Sequence, residues 1–217
     1  MRPWAATRRR RASAWGRLDA RAGCRSVAEA SGHLILVGLP GAGKSTVGPL
    51  VAAALDRAFL DLDAELERRD GRSVAAQFAQ DGECAFRARE AALSAELATA
   101  MSQDGAMVLA PGGGWLSNVA ASTPLRRLGR LVYLRVTPAV AAVRLGGARR
   151  SRPLLAGDDP VAALEALLAR RRAAYETADH VVDVDALTPL EAAAAVVAAS
   201  SRSVPSSQPT EFPHADR

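Results

Sequence analysis

The sequence predicts an α/β fold, a three-layer sandwich in which a parallel sheet of five strands lies between helices on both faces. Two observations predict it. Short apolar runs alternate with segments of helical character from residue 33 to residue 200, an alternation typical of parallel sheets with helical crossovers. A glycine-rich loop also joins the first apolar run to the first helical segment, in the order strand, loop, helix.

The alternating segments are assigned in chain order. The predicted strands are 33–37, 58–60, 106–110, 131–136 and 181–184. The predicted helices are 46–55, 64–69, 74–80, 83–101, 138–145, 161–178 and 190–199. A polar loop rich in glycine and proline, about residues 146–159, interrupts the alternation and is predicted to act as a mobile lid.

One domain is predicted over residues 33–200, with an extension on each side. Residues 1–32 hold eight arginines and two acidic residues, a net charge of +6 against +5 for the whole chain. This basic extension is predicted to be disordered or to reflect an early start codon, with targeting or nucleic-acid contact as the alternatives. Residues 201–217 are rich in serine and proline and are predicted to form a disordered tail.

Composition argues against several functions for the folded body. Because the basic charge lies in residues 1–32, the body is close to neutral and its charge does not indicate nucleic-acid binding. No apolar run approaches the length of about 18 residues that a membrane span needs. Cys24 and Cys84 are far apart and match no metal or redox pair, which favours a cytoplasmic protein without disulfides.

The loop at residues 38–46 fits the phosphate-binding pattern G-x-x-x-x-G-K-[ST] without a mismatch. Glycines let backbone N–H groups turn toward phosphate oxygens, and the next helix adds the positive end of its dipole. Lys44 would reach the β- and γ-phosphates, and the Ser45 hydroxyl would hold Mg²⁺. Lys44 is the only lysine among 28 basic residues, and the other 27 are arginines. A phosphate-binding loop that is too narrow for a planar guanidinium would accept lysine and not arginine at this position. The motif predicts a fold like that of the P-loop NTPases.

Two acidic residues, Asp61 and Asp63, follow the predicted strand 58–60. The carboxyl ends of strands in doubly wound sheets face the ligand crevice, and carboxylates two residues apart on an extended segment point the same way. They would support Mg²⁺, accept a proton from a hydroxyl or bind a polyol. The alternative is that Asp63 caps the helix beginning at Ala64.

Three glycines, 112–114, end the strand 106–110. They would lie at the same edge of the sheet, where a backbone can approach a ligand closely. The alternative is a flexible turn.

Arg171 lies within an apolar stripe of the helix 161–178, whereas Arg170 and Arg172 fall to its sides. An inward guanidinium needs a partner, either a protein carboxylate or an anionic substrate. The predicted lid carries three further arginines that would cover phosphates, with an ordinary solvated charge run as the alternative. These are Arg149, Arg150 and Arg152.

With these residues in view, the chain resembles shikimate kinase, a small P-loop kinase of aromatic amino-acid biosynthesis, over about residues 33–200. Five motifs occur in the order of that family, and the ordered set is specific, although none of the last four would suffice alone. They are the loop 38–46, Asp61-Leu62-Asp63 with Glu65, Gly82-Glu83-Cys84-Ala85-Phe86-Arg87 with Glu90, the glycines 112–114, and Arg152-Pro153-Leu154-Leu155.

The resemblance implies ATP-dependent phosphorylation of the 3-hydroxyl of shikimate by a monomer that uses Mg²⁺. It implies that Arg87 and Arg171 hold the substrate carboxylate, while Asp63 orients the attacking hydroxyl and Arg152 reaches the transferring phosphoryl group. The implied shikimate-binding residues are Asp63, Arg87, Gly113, Gly114 and Arg171. The implied ATP-binding residues are Gly41, Ala42, Gly43, Lys44, Ser45, Thr46 and Arg152. The implied metal ligands are Ser45 and Asp61, and the implied catalytic residues are Lys44, Asp63 and Arg152.

The chain departs from the family pattern at Pro49, where a basic residue is usual, and at Pro111, where a small polar residue is common. Leu145 stands where a lid arginine often packs on adenine, so Arg144 is expected to serve instead. Two other functions stay open. One is a kinase of another small polyol acid such as gluconate, since Arg87 and Arg171 would serve any carboxylate, and the other is a nucleotide-binding regulator in which Pro49 and Pro111 mark weakened catalysis.

Overall fold

The computed structural model describes residues 32–101, 105–146 and 159–201. Within them, five strands form one sheet in the order β2-β3-β1-β4-β5. Each neighbouring pair of strands is parallel, which confirms the predicted fold class. The strands are β1 (His33–Val37), β2 (Ala58–Asp61), β3 (Met107–Ala110), β4 (Gly129–Arg135) and β5 (His180–Asp183).

Seven α-helices lie in the described part of the chain, and all but α4 correspond to predicted segments. They are α1 (Lys44–Ala54), α2 (Leu62–Asp70), α3 (Val74–Met101), α4 (Val119–Arg126), α5 (Pro138–Leu145), α6 (Pro160–Tyr175) and α7 (Pro189–Ser200). A short 3₁₀ helix, Trp115–Ser117, precedes α4. The sequence gives little sign of α4, because the helix is only eight residues long and contains Pro124.

The central strand β1 is buried along its whole length. β3 and β4 flank it, α1 packs against α7, and α3 packs against α4. Leucine, valine and alanine fill most of the core, as the low aromatic content of 4% requires. Because the strands are parallel, the carboxyl ends of β1, β2 and β3 meet at one edge of the sheet, where ligands bind in folds of this kind.

α3 consists of two segments separated by a break at Gly82, whose φ of 81° and ψ of 169° lie outside the helical region. The segments correspond to the predicted helices 74–80 and 83–101. None of the described helices combines the length and apolarity needed to cross a membrane. The extension 1–32, apart from Gly32, and the tail beyond Ser201 lie outside the described residues, as does the predicted lid between Gly146 and Asp159.

The surface of α2 carries an ion-pair cluster that makes stability depend on pH. Glu65 accepts hydrogen bonds from Arg68 and Arg69, each with a closest distance of 2.7 Å. These bonds lower the pKa of Glu65 to about 2, and the bond from Arg68 has the largest effect. An unfolded glutamate has a pKa of about 4.3. The carboxylate therefore stabilises the fold above about pH 4.3, and this contribution is lost as the pH falls toward 2.

We expect Glu65→Gln to lower the free energy of unfolding by about 1 kcal/mol at pH 7. Urea unfolding of both proteins between pH 2 and pH 7 measures the difference. It should shrink steadily below about pH 4.3, since both side chains become neutral in acid. A difference that stays constant down to pH 2 would show that the ion pairs contribute nothing.

Candidate active site

The phosphate-binding loop connects β1 to α1 at the carboxyl edge of the sheet. Gly41 has a φ of +85°, and a methyl group on its Cα would lie 2.6 Å from the carbonyl oxygen of Ala141 in α5. Only glycine meets both conditions without strain. The Lys44 ammonium donates hydrogen bonds to the carbonyl oxygens of Gly38 at 2.9 Å and Leu39 at 3.1 Å. These bonds hold the single lysine of the chain against the loop.

Ser45 and Asp61 lie side by side although 16 residues separate them. The Ser45 hydroxyl donates a hydrogen bond of 2.5 Å to Asp61 Oδ2, and Asp61 Oδ1 accepts one of 3.2 Å from the Ala64 N–H. The second bond makes Asp61 the N-cap of α2. One hydroxyl and one carboxylate form a donor set that suits Mg²⁺, because this ion usually keeps several waters and takes its other ligands from phosphates.

Asp63 occupies a different position from the one that the sequence suggested. It lies in the first turn of α2, so the prediction that it closes a strand beside Asp61 was wrong. The alternative that it caps the helix was also wrong, since Asp61 is the cap. The helix still turns the Asp63 carboxylate toward residues 112–114, the glycine loop, where a methyl group on Gly112 would lie 2.6 Å from Asp63 Oδ1.

Arg87 lies in the second segment of α3 and is fixed on several sides. Its guanidinium donates to Glu83 Oε1 at 3.2 Å and to Glu90 Oε2 at 3.0 Å. The guanidinium carbon also lies 5.8 Å from the ring centre of Phe78 and 5.6 Å from that of Phe86, within the range of a cation–π interaction. These contacts reduce the freedom of a long side chain and leave its edge facing the glycine loop.

Arg171 extends from α6 to the same glycine loop. It is half-buried, while Arg170 and Arg172 are exposed, as the apolar stripe predicted. A methyl group on Gly114 would lie 2.5 Å from Arg87 Nη2 and 3.1 Å from Arg171 Nη2. The two guanidinium groups therefore converge at Gly114, where no residue larger than glycine fits unless Arg87 moves.

Tyr175 lies one turn beyond Arg171 in α6 and holds the glycine loop through a hydrogen bond. Its hydroxyl donates a hydrogen bond of 2.6 Å to the carbonyl oxygen of Gly113, and its ring stacks on that of Tyr133 with centroids 5.0 Å apart. Burial raises the pKa of Tyr175 to about 12. The hydroxyl therefore stays protonated and remains a donor at neutral pH. The sequence pattern had assigned Tyr175 only to the apolar stripe.

Two adjoining cavities contain the predicted site residues that the structure describes. The arginine cavity, of about 320 Å³, is lined by Phe78, Arg87, Gly114 and Arg171. The loop cavity, of about 380 Å³, is lined by residues of the phosphate-binding loop, among them Lys44. Six further residues line both cavities and form their boundary. They are Pro40, Ser45, Asp61, Asp63, Gly112 and Gly113.

The far end of the loop cavity lies between α5 and the residues that follow β5. Arg144 and Leu145 both line it, and Arg144 Nη2 donates to the carbonyl oxygens of Val184 at 2.5 Å and Asp185 at 3.2 Å.

Pro111, which is buried, lines the same cavity, whereas Pro49 lies on the exposed face of α1. The helix continues through Pro49 to Ala54. The arginines at 149, 150 and 152 lie outside the described residues.

This arrangement defines a class of protein, a P-loop kinase of small molecules. The phosphate-binding loop and its lysine lie in one cavity, and paired guanidinium groups lie in the next. The comparisons with known proteins agree with this class and narrow it.

A family model described as shikimate kinase matches residues 40–201. The shikimate kinase of Symbiobacterium thermophilum is 42% identical over 150 residues, which cover 69% of this chain and 84% of that protein. The shikimate kinase of Chromohalobacter salexigens is 45% identical over 153 residues, which cover 70% and 82%. The solved structure of shikimate kinase from Acinetobacter baumannii in complex with shikimate aligns with a TM-score of 0.71 at 34% identity, covering 76% of this chain and 90% of that one.

The chain belongs to the shikimate kinase family, whose members are ATP-dependent transferases. The resemblance drawn from the sequence motifs is thereby confirmed.

Proposed function

We propose that this protein transfers the γ-phosphoryl group of ATP to the 3-hydroxyl of shikimate, giving shikimate 3-phosphate and ADP. One observation carries the proposal. Arg87 and Arg171 converge at Gly114 in a cavity that shares a wall with the phosphate-binding loop, and Asp63 stands on that shared wall. An acid bound by the arginines would present its hydroxyl groups to Asp63 and to the phosphates beyond it.

The arginine cavity supplies the groups that an acidic polyol needs. Guanidinium forks bind carboxylates through paired, charge-assisted hydrogen bonds, and two forks around one glycine would hold the substrate carboxylate in a single orientation. Asp63 would accept hydrogen bonds from ring hydroxyls and take the proton of the one that attacks. The backbone of Gly113 and Gly114 would come close to the ring, because it carries no side chain.

The loop cavity supplies the groups that hold the nucleotide. Backbone N–H groups of residues 41–46 would surround the phosphates, and Lys44 would leave the carbonyls of Gly38 and Leu39 to bind the β- and γ-oxygens. Arg152 is proposed to reach the same phosphoryl group from the lid. Phosphoryl transfer requires positioning and charge stabilisation above all, and these residues supply both.

Ser45 and Asp61 are the proposed ligands of Mg²⁺, either directly or through its water shell. Mg²⁺ held by these residues would supply positive charge that offsets the negative charge developing during phosphoryl transfer. Asp61 holds the α2 N-terminus and Ser45 together, so the same carboxylate would fix Asp63 relative to the phosphates.

The test of the proposal is ADP release by the purified protein with shikimate, with gluconate, and with no acceptor. Release that depends on shikimate alone supports it. Release with gluconate but not shikimate would favour a kinase of another polyol acid. ATP binding without transfer to either acceptor would favour a regulator that has lost catalysis.

We expect Asp61→Asn to raise the Mg²⁺ concentration needed for half-maximal rate, on the order of 10-fold, because it removes the charge that attracts the ion. Asparagine still caps a helix well, so α2 should stay intact. Ser45→Ala should act in the same direction. The measurement is a Mg²⁺ titration of ADP release at fixed ATP, with thermal unfolding midpoints as the control. An unchanged Mg²⁺ requirement in both variants would contradict the assignment.

We further propose that the protein works in the cytoplasm as a monomer, without nucleic-acid partners for residues 33–200. The concentration of basic charge in residues 1–32 supports the absence of nucleic-acid partners for residues 33–200, and the wide spacing of Cys24 and Cys84 supports the cytoplasmic location. Deleting residues 1–31 should leave turnover unchanged. If the deletion abolishes nucleic-acid binding or changes the location of the protein, the extension has a separate role.

A further inference from the structure

Asn118 stands at the N-terminus of α4, but its side chain does not cap that helix. Its amide instead donates hydrogen bonds to the backbone carbonyl of Arg87 at 3.0 Å and to Glu90 Oε2 at 2.9 Å. Within α4, the N–H groups of Ala121 and Ser122 donate to the backbone carbonyl of Asn118 at 3.0 and 2.9 Å, so Asn118 begins the helix through its backbone. The Asn118 side chain therefore bonds to α3 and not to its own helix, which helix capping alone would not require.

The bond to Glu90 matters because that carboxylate is almost fully buried. The Glu90 side chain is 2% exposed, and its Oε2 atom accepts from both Asn118 and Arg87 Nη1. A buried carboxylate is costly unless its oxygens are paired. Asn118 supplies one of the two hydrogen bonds that hold this oxygen in place, and the oxygen in turn holds the Arg87 guanidinium.

Asn118 also fixes the distance between Arg87 and the glycine loop. The 3₁₀ helix Trp115–Ser117 connects Gly114 to Asn118, and the Ser117 N–H donates to the carbonyl of Gly114 at 3.1 Å. Asn118 then reaches across to the backbone of Arg87. Gly114, the short helix, Asn118 and Arg87 thus form a closed chain of contacts, and Arg87 Nη2 lies against Gly114 at its end.

We propose that Asn118 is a positioning residue for the carboxylate-binding arginine pair. It acts through Glu90 on the Arg87 guanidinium and through the Arg87 carbonyl on the backbone. The inference rests on the proposed function, because the effect is read through shikimate. The surrounding segment 115–130 drew no prediction from the sequence, since a single asparagine gives no periodic signal.

The experiment compares steady-state kinetics of the full chain carrying Asn118→Ala, Asn118→Ser or Asn118→Asp. Asn118→Ala should raise the KM for shikimate on the order of 10-fold, with kcat and the KM for ATP changed by less than about 3-fold. Asn118→Ser keeps a good helix-capping residue but is too short to bridge Arg87 and Glu90, so it should resemble Asn118→Ala. Asn118→Asp should raise the KM for shikimate further, because the new carboxylate would lie against that of Glu90.

Val119→Ala, at the exposed neighbouring position, is the matched control and should leave all constants unchanged. If Asn118→Ser keeps the parental KM while Asn118→Ala does not, the residue only caps α4 and the inference is wrong. An unchanged KM in all three variants would also overturn it, while leaving the proposed function intact. An unaltered protein without shikimate-dependent turnover would overturn the proposed function, and this inference with it.

Discussion

Replacing Lys44 with methionine is expected to lower kcat with ATP and shikimate on the order of 10³-fold, by analogy with the loss of charge stabilisation in other phosphoryl-transfer sites. Methionine has a similar length and fits the loop, but it carries no charge to place on the β- and γ-oxygens. Steady-state ADP release measures the change. Shikimate binding, followed by calorimetry, should stay close to that of the unaltered protein, because Lys44 lines the loop cavity and not the arginine cavity.

Lys44→Arg is the informative control, because it keeps the charge and changes the shape. A planar guanidinium should not fit the place where Lys44 bonds to the carbonyls of Gly38 and Leu39. We expect a loss nearly as large as that of methionine. If Lys44→Arg retains most of the activity of the unaltered protein, the loop is wider than the structure indicates. If Lys44→Met retains full activity, the phosphate role of the loop is wrong.

Replacing Arg87 or Arg171 with lysine is expected to lower kcat/KM for shikimate about 10²-fold each, because an ammonium keeps the charge but not the paired donors. The two guanidinium groups meet at Gly114, so neither can replace the other. The matched controls are Arg170→Lys and Arg172→Lys, which change exposed neighbours on the same helix. Both controls should keep the parental kcat/KM.

The methyl ester of shikimate tests whether these arginines act on the carboxylate itself. The unaltered protein should discriminate strongly against the ester, whereas Arg87→Lys and Arg171→Lys should discriminate much less, since the lost interaction is already absent. Equal discrimination in all three proteins would show that the arginines affect the substrate elsewhere. Equal losses of kcat/KM in Arg171→Lys and Arg170→Lys would contradict the assignment of Arg171 to the substrate carboxylate.

The sequence predicted most of the architecture because the signals that determine it are local. The parallel strands appear in the sequence as short apolar runs, and all five strands in the described part of the chain were found, although only β1 and β3 among them are buried throughout. The phosphate-binding loop is a contiguous motif, so Lys44 and Ser45 could be assigned directly. Arg171 was found because an arginine inside an apolar stripe contradicts the helical pattern around it, whereas Arg87 shows no such contrast and was assigned only through the family resemblance.

Other parts of the site depend on contacts between distant segments. Asp63 was expected on an extended segment, but Asp61 caps α2 two residues earlier than predicted and places Asp63 in a helix. The hydroxyl of Tyr175 reaches Gly113 across 62 residues, and the amide of Asn118 reaches Arg87 across 31. Neither bond leaves a mark on hydrophobic periodicity. Their partners become apparent only when the sheet brings α3, α6 and the glycine loop together.

The product of the reaction tests the central claim most directly. Purified protein incubated with ATP, Mg²⁺ and shikimate should yield one new phosphoester whose ³¹P signal couples to the proton on carbon 3 of the ring. That outcome is expected because the arginines would fix the carboxylate and leave one hydroxyl in line with the γ-phosphate. Phosphate on a different hydroxyl, or no phosphoester while ATP still binds, would contradict the account.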